Sequence, residues 1–207
     1  MLRILVIGLV MLVAVMLWLP NSMNTVPEPD VATTLGQPLR LPDVQLTDQS
    51  GRSVSLSELS GNFSLMFFGF THCPDICPVT LQVLASAQAE LRSRAPDAVP
   101  EVIFISVDPY RDNPQRIRQY LSNFDPEFTG LTAPDATLEP LLTALGVTVH
   151  KIELAGENYN IVHNGTVFVL GPEAQLLWLF GSSTHQAATI VSDYFRIRRR
   201  YSSSATL

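Results

Sequence analysis

Apolar residues in this chain fall into two kinds of run, and their alternation sets the first expectations. Phe63 to Phe70 and Val102 to Val107 are short, nearly unbroken apolar stretches of strand length, as in strands buried on both faces of a sheet. Between them, Val79 to Arg94 has helical spacing, with Leu81, Leu84, Ala85, Gln88 and Leu91 near one face. Val44-Gln45-Leu46 and Ser53 to Leu56 flank the turn-forming Asp48-Gln49-Ser50-Gly51, which predicts a hairpin. Asn113-Pro114 predicts a helix start, with Asn as cap and Pro at the first helical position, running to about Asn123. A short helix over Thr137 to Leu145, a hairpin of Thr166–Leu170 with Leu176–Phe180, and a helix from Thr184 to about Arg199 complete the pattern. Strands alternating with helices predict a three-layer α/β domain with a mixed sheet. Two cysteines just after a buried strand and before a helix give it the thioredoxin-like arrangement.

The N-terminus departs from this pattern. Arg3 is followed by sixteen uncharged, nearly all apolar residues, Ile4 to Leu19, with Trp18 at the far end. As a helix they extend about 24 Å, enough to span with Arg3 and Trp18 at the interfaces. A cleaved signal peptide is the rival, but no small-x-small site follows the run. Arg3 lies before the span and the next cation, Arg40, well after it, so the bulk of the chain is expected on the far side of the membrane. The organisation expected is a signal anchor over 1–20, a proline-containing extended tether over 21–40, a globular domain over 41–200 and a tail over 201–207. A reporter fused to Leu207 that works only in the cytoplasm would contradict the anchor.

Composition adds exclusions. The 207 residues are 46% hydrophobic and 15% charged, as in a packed domain, and the net charge of −6 leaves no basic stripe for nucleic acid. Arg196 to Arg200 reads as the solvated last turn of the terminal helix.

Export makes a structural disulfide the first reading of the only two cysteines, Cys73 and Cys77. Their surroundings, Thr71-His72-Cys73-Pro74-Asp75-Ile76-Cys77-Pro78, argue for a poised site instead. Pro78 suits the first helical position, which places Cys77 at or beside the N-cap, where the helix terminus favours a thiolate. The pair can act as a redox dithiol or chelate a metal, and a disulfide across so short a loop stabilises little. A metal needs a further ligand, with His72, His150, His163 and His185 as candidates. His163 precedes the Thr166–Leu170 strand, which a thioredoxin-like fold carries past the cysteine loop. His72, adjacent to Cys73 in an extended segment, points the other way, and the other two have no supporting context. Thiolates with an imidazole suit copper, whereas structural zinc prefers four protein ligands.

These residues resemble the Sco (SenC/PrrC) copper chaperones of cytochrome c oxidase assembly. The resemblance is carried by Phe68 to Pro78, by Ser106-Val107-Asp108-Pro109-Tyr110-Arg111-Asp112-Asn113-Pro114 and by His163 before a hydrophobic strand, and spans about Leu41 to Phe195. It implies a thioredoxin-like domain, usually tethered to the inner membrane and facing the periplasm or intermembrane space. It also implies copper held by Cys73, Cys77 and His163, a copper donor protein, and a receiving subunit of a terminal oxidase. Val162 stands where the family commonly has Asp before the histidine. Asp112 and Asn113 read simply as a strand-end turn and a helix cap.

The alternative is a thiol-disulfide oxidoreductase or redox sensor using Cys73 and Cys77. Three residues separate these cysteines where thioredoxin-type catalysts have two, and His163-Asn164-Gly165 lacks the proline those catalysts carry there. A peroxiredoxin is disfavoured by the absence of a proline a few residues upstream of Cys73.

Overall fold

The structure, a computed structural model, describes residues 2–23, 27–154, 159–184 and 186–204. They form two compact units, one of Pro29–Tyr194 and one of Met1–Glu28 with Phe195–Leu207. In chain order the elements are α1 (Leu2–Met23), β1 (Thr33–Arg40), β2 (Gln45–Asp48), β3 (Ser53–Ser55), β4 (Ser64–Gly69), α2 (Ile76–Arg94), β5 (Glu101–Ser106), α3 (Pro114–Leu121), β6 (Thr129–Thr132), α4 (Asp135–Ala144), β7 (Val149–Glu153), β8 (Tyr159–His163), β9 (Val167–Leu170), β10 (Gln175–Phe180) and α5 (Ala187–Ser204).

Eight strands make one mixed sheet in the order β1-β10-β9-β4-β5-β6-β2-β3. The apolar run at Phe63–Phe70 becomes the central strand β4, paired parallel to β5 and antiparallel to β9, and every one of its residues is buried. Removing both faces from water is what such a run requires. α2 buries Leu81, Leu84, Ala85, Ala87, Gln88 and Leu91, which includes the whole face expected from its spacing. Asn113 caps α3, its side-chain oxygen accepting from the Arg116 amide at 2.9 Å. The β2–β3 hairpin turns where Asp48-Gln49-Ser50-Gly51 predicts, with the Asp48 carboxylate accepting from the amides of Ser50 and Arg52. The result is a mixed α/β, thioredoxin-like architecture.

The structure differs from the sequence reading in several places. The expected tether at 21–40 is partly helix, since α1 runs to Met23, and partly strand, since β1 pairs antiparallel with β10. Its prolines concealed this. β1 lies at the sheet edge and its pairing is irregular between Thr34 and Leu39, the stretch that holds Pro38. Proline is tolerated at edges and irregularities because no ladder donor is required there. α5 continues to Ser204, past the expected end near Arg199 and into the expected tail at 201–207.

Within the terminal unit, Arg200 pairs with Glu28 at 2.6 Å, so the basic run is not wholly solvated. α1 runs through the segment expected to be an anchor from residue 2 on, although the side chains at 1, 2, 4, 5 and 16–20 lie outside the described residues. Among the described residues, no helix is long and apolar enough to cross a membrane.

Candidate metal centre

The site sits at the C-terminal end of β4. Gly69 closes the strand, Phe70 follows, and the Cys73 amide donates to the Phe70 carbonyl at 3.1 Å to turn the chain into α2. α2 begins at Ile76 with Asp75 as N-cap, so Cys77 is the second residue of the helix rather than its cap. The pre-proline restriction that disfavours helix at Cys77 yields here. In the first turn Pro78 removes only an amide that has no intrahelical partner.

Cys77 is fully buried and Cys73 half-buried, and neither forms a disulfide. The Cys77 amide donates to Cys73 Sγ at 3.4 Å, and Cys77 Sγ lies 3.3 Å from His163 Nε2. One donor atom from each of Cys73, Cys77 and His163 lies within 4.8 Å of the others. Soft-metal bonds of about 2.3 Å to sulfur and 2.0 Å to nitrogen place the donors about 3.5–4 Å apart, so this trio has the spacing and chemistry for one ion.

Acidity is divided unequally between the sulfurs. A hydrogen bond from Cys77 is the largest influence on Cys73; against the opposing effect of burial, and with help from His163 and the amides of Asp75 and Cys77, its pKa falls to about 4. The Cys73 thiolate and burial push Cys77 upward. Sequence expects a reactive pair, with Cys77 at least partly activated at the helix start. The structure reverses this, because Cys77 is the deeper sulfur and keeps the proton that the two share. In metal-free protein, iodoacetamide should therefore modify Cys73 first, at a rate flat above about pH 5 and falling through pH 4, where an ordinary thiol titrates near 8.5. A rate still climbing between pH 8 and 9 would contradict the assignment.

His163 ends β8, and its Nδ1 lies 3.0 Å from the Asn164 carbonyl oxygen. A carbonyl only accepts, so Nδ1 donates to it, and Nε2 is the ring nitrogen that faces Cys77. This is the ring orientation a metal ligand needs. The backbone thus supplies the second support that Val162 cannot. Val162 is exposed and paired across the hairpin with His150, which is also exposed. His185 lies outside the described residues. Phe67 and Phe70 wall the imidazole edge-on, with ring centroids 6.0 and 5.9 Å away.

Two glycines allow the close approach. A Cβ on Gly165 would lie 3.1 Å from the Ile76 side chain, and one on Gly69 would lie 2.7 Å from the Phe104 ring and 3.1 Å from Cys77 Sγ. Gly69→Ala is expected to cost about 1–3 kcal/mol by overpacking, read from urea unfolding; an unchanged midpoint would show that Phe104 yields freely.

Asp112 is the functional residue that sequence reading undervalued. Fully buried, its carboxylate accepts from the Thr71 amide at 2.8 Å, Thr71 Oγ1 at 2.6 Å and Ser106 Oγ at 2.7 Å, fixing the start of the cysteine loop to the end of β5. The signal available in the sequence was an acidic residue within the Ser106–Pro114 motif. His72 is turned toward Arg116, whose Nη2 donates to its Nε2 at 2.9 Å, and it takes no part in the trio. His72, Asp108 and Asp112 also lie close enough together to share an ion. Their carboxylates, however, are engaged by Arg111 and Tyr159 at Asp108 and by Thr71 and Ser106 at Asp112.

A thioredoxin-like domain with a dithiol and an imidazole converging beyond its central strand defines the class of protein. The SCO1/SenC family model matches residues 33–197, and the chain belongs to that family. It is 36% identical over 137 residues to a putative copper-binding protein of Stutzerimonas stutzeri, covering 66% of each chain. With the protein sco1 of Schizosaccharomyces pombe it shares 31% identity over 175 residues, 82% of this chain and 66% of that one. The chain thus spans just under two thirds of the length of these relatives. Among solved structures, Arabidopsis thaliana ScoI with copper bound superposes with a TM-score of 0.71 at 29% identity, over 76% of this chain and 98% of that one. The apo Sco1 protein of Thermus thermophilus gives 0.70 at 34% identity, over 79% and 94%.

Proposed function

We propose that this protein binds one copper ion through Cys73, Cys77 and His163 and delivers it to the binuclear copper centre of cytochrome c oxidase. The observation that carries this reading is the convergence of two sulfurs and an imidazole nitrogen within 4.8 Å. Copper is favoured by that donor set, and copper-bound ScoI of Arabidopsis supports it. Half-exposure of Cys73 leaves a side from which an acceptor's thiolates can attack the ion, as a transfer protein requires. Val79 and Val162, each within two residues of a donor, are exposed and suit a transient protein contact with the copper donor or the receiving subunit. Tethering to the inner membrane through α1, with the globular domain in the periplasm, belongs to the same proposal. It rests on the apolar run after Arg3.

Mixing the copper-loaded protein with the metal-free copper-binding domain of the oxidase subunit tests the reading. Copper should move to the oxidase domain without passing to a competing chelator in solution. Copper that remains on Cys73 and Cys77, or reaches the acceptor only through the chelator, would overturn delivery.

The low pKa and partial exposure of Cys73 favour a second reading, thiol-disulfide exchange by the same pair. Fast copper-independent reduction of insulin disulfides would favour it over delivery.

A further inference from the structure

His163 is carried by an element with little of its own to hold it in place. Among the described residues, β7 and β8 pair only with each other, apart from the main sheet. β7 buries none of its side chains and β8 buries only Ile161. A two-stranded hairpin of this kind is marginal by itself. On the α4 side it stands off across a groove of about 490 Å³ lined by Leu138, Glu139 and Leu142 of α4 and by Val149, Lys151 and Tyr159 of the hairpin. A ligand placed on so loose an element needs a tie from elsewhere.

The tie comes from the turn after β5. Asp108, almost fully buried, accepts from Arg111 Nε at 2.5 Å and from the Tyr159 hydroxyl at 2.6 Å. Arg111 Nη1 donates to the Tyr159 carbonyl at 2.9 Å, and its guanidinium lies 3.6 Å from the centre of the Tyr159 ring. Lys151 covers the same ring at 3.8 Å. The remaining guanidinium nitrogen of Arg111, Nη2, is buried and finds no acceptor among the described residues, while the Phe70 ring that walls His163 lies 5.9 Å from the guanidinium carbon. Tyr159 is thus gripped at hydroxyl, ring and backbone, four residues before His163 on the same strand. The next residue of the turn, Asp112, grips Thr71 of the cysteine loop.

We propose that Asp108 and Arg111 are positioning residues for His163: they fix β8 so that its terminal imidazole meets the cysteine pair, while adjacent Asp112 fixes the cysteine loop. One short turn then sets both halves of the site. The proposal rests on the reading of His163 as a metal ligand. It gives a role to the Asp108–Asp112 motif that a turn and a helix cap alone leave unexplained. The planar fork and aromatic stacking of the guanidinium are what the site uses, so lysine is not an equivalent.

The test has a metal-free arm and a metal arm on the full chain. In metal-free Arg111→Met, hydrogen exchange at the β7–β8 amides should quicken by about tenfold or more while β4 and β5 exchange as in wild type. With Cu(II) added, the nitrogen coupling in the electron paramagnetic resonance spectrum should weaken and affinity should fall about 10–100-fold. Arg111→Met combined with His163→Ala should bind no more weakly than His163→Ala alone. Unchanged hairpin exchange, or two fully additive affinity losses, overturns the proposal. If Arg111→Met does not fold, Tyr159→Phe, which removes only the hydroxyl, decides by the same readouts: faster hairpin exchange supports the clamp and unchanged exchange refutes it. Failure of His163 as a ligand would appear separately, as His163→Ala binding copper like wild type while the metal-free exchange still reports on the clamp.

Discussion

Cys77→Ser is expected to lower copper(I) affinity by more than about 100-fold, measured by competition with a chromophoric chelator. Loss of groups that merely orient ligands costs about 10–100-fold, and removing a donor should exceed that. Serine offers a hard, protonated oxygen in place of a soft sulfur. The sulfur it replaces lies 3.3 Å from His163 Nε2. A further effect follows from the proton that Cys77 shares with Cys73. The hydrogen bond from Cys77 is the main reason for the low pKa of Cys73, so altering this donor also changes the charge available on the remaining sulfur. Cys73→Ser should be comparable and His163→Ala milder, since two thiolates still hold the ion. Affinity of Cys77→Ser within threefold of wild type would place copper elsewhere.

The second large effect is on stability. Asp112→Ala is expected to cost about 3 kcal/mol or more in urea unfolding. It removes a charged acceptor of three hydrogen bonds and leaves the Thr71 amide and the Ser106 hydroxyl without it. Asp112→Asn, which keeps the shape and one acceptor oxygen, should recover part of the loss. The cysteine loop should loosen with it, so Cys73 alkylation is expected to lose its flat pH profile and shift toward ordinary thiol behaviour. A loss under 1 kcal/mol with Cys73 unaltered would mean that the loop holds its own shape.

Local patterns were the legible part of the fold. β4 and β5 announced themselves because a strand buried on both faces must be apolar throughout, and α3 because Asn113-Pro114 is a self-contained start signal. β1 and the β7–β8 hairpin were not anticipated because their side chains are mostly exposed and their pairing depends on partners distant in sequence. Register of that kind is written in the partner strand, not in the strand itself. The site followed the same division. Cys73 and Cys77 stood out by chemistry and spacing, and His163 by its place before β9. Which sulfur is the thiolate, and what Asp108, Arg111 and Asp112 hold, depended on burial and on contacts across the fold. Proline misled in two places, at Pro38 in β1 and at Pro78 in α2, because an edge strand and a first helical turn both tolerate a missing amide.

X-ray absorption at the copper edge of the loaded full-length protein tests the central claim most directly. Two sulfur neighbours and one imidazole nitrogen in wild type, with the nitrogen lost in His163→Ala and one sulfur lost in Cys77→Ser, is the result expected. A shell of oxygen and nitrogen that is the same in all three proteins would contradict it.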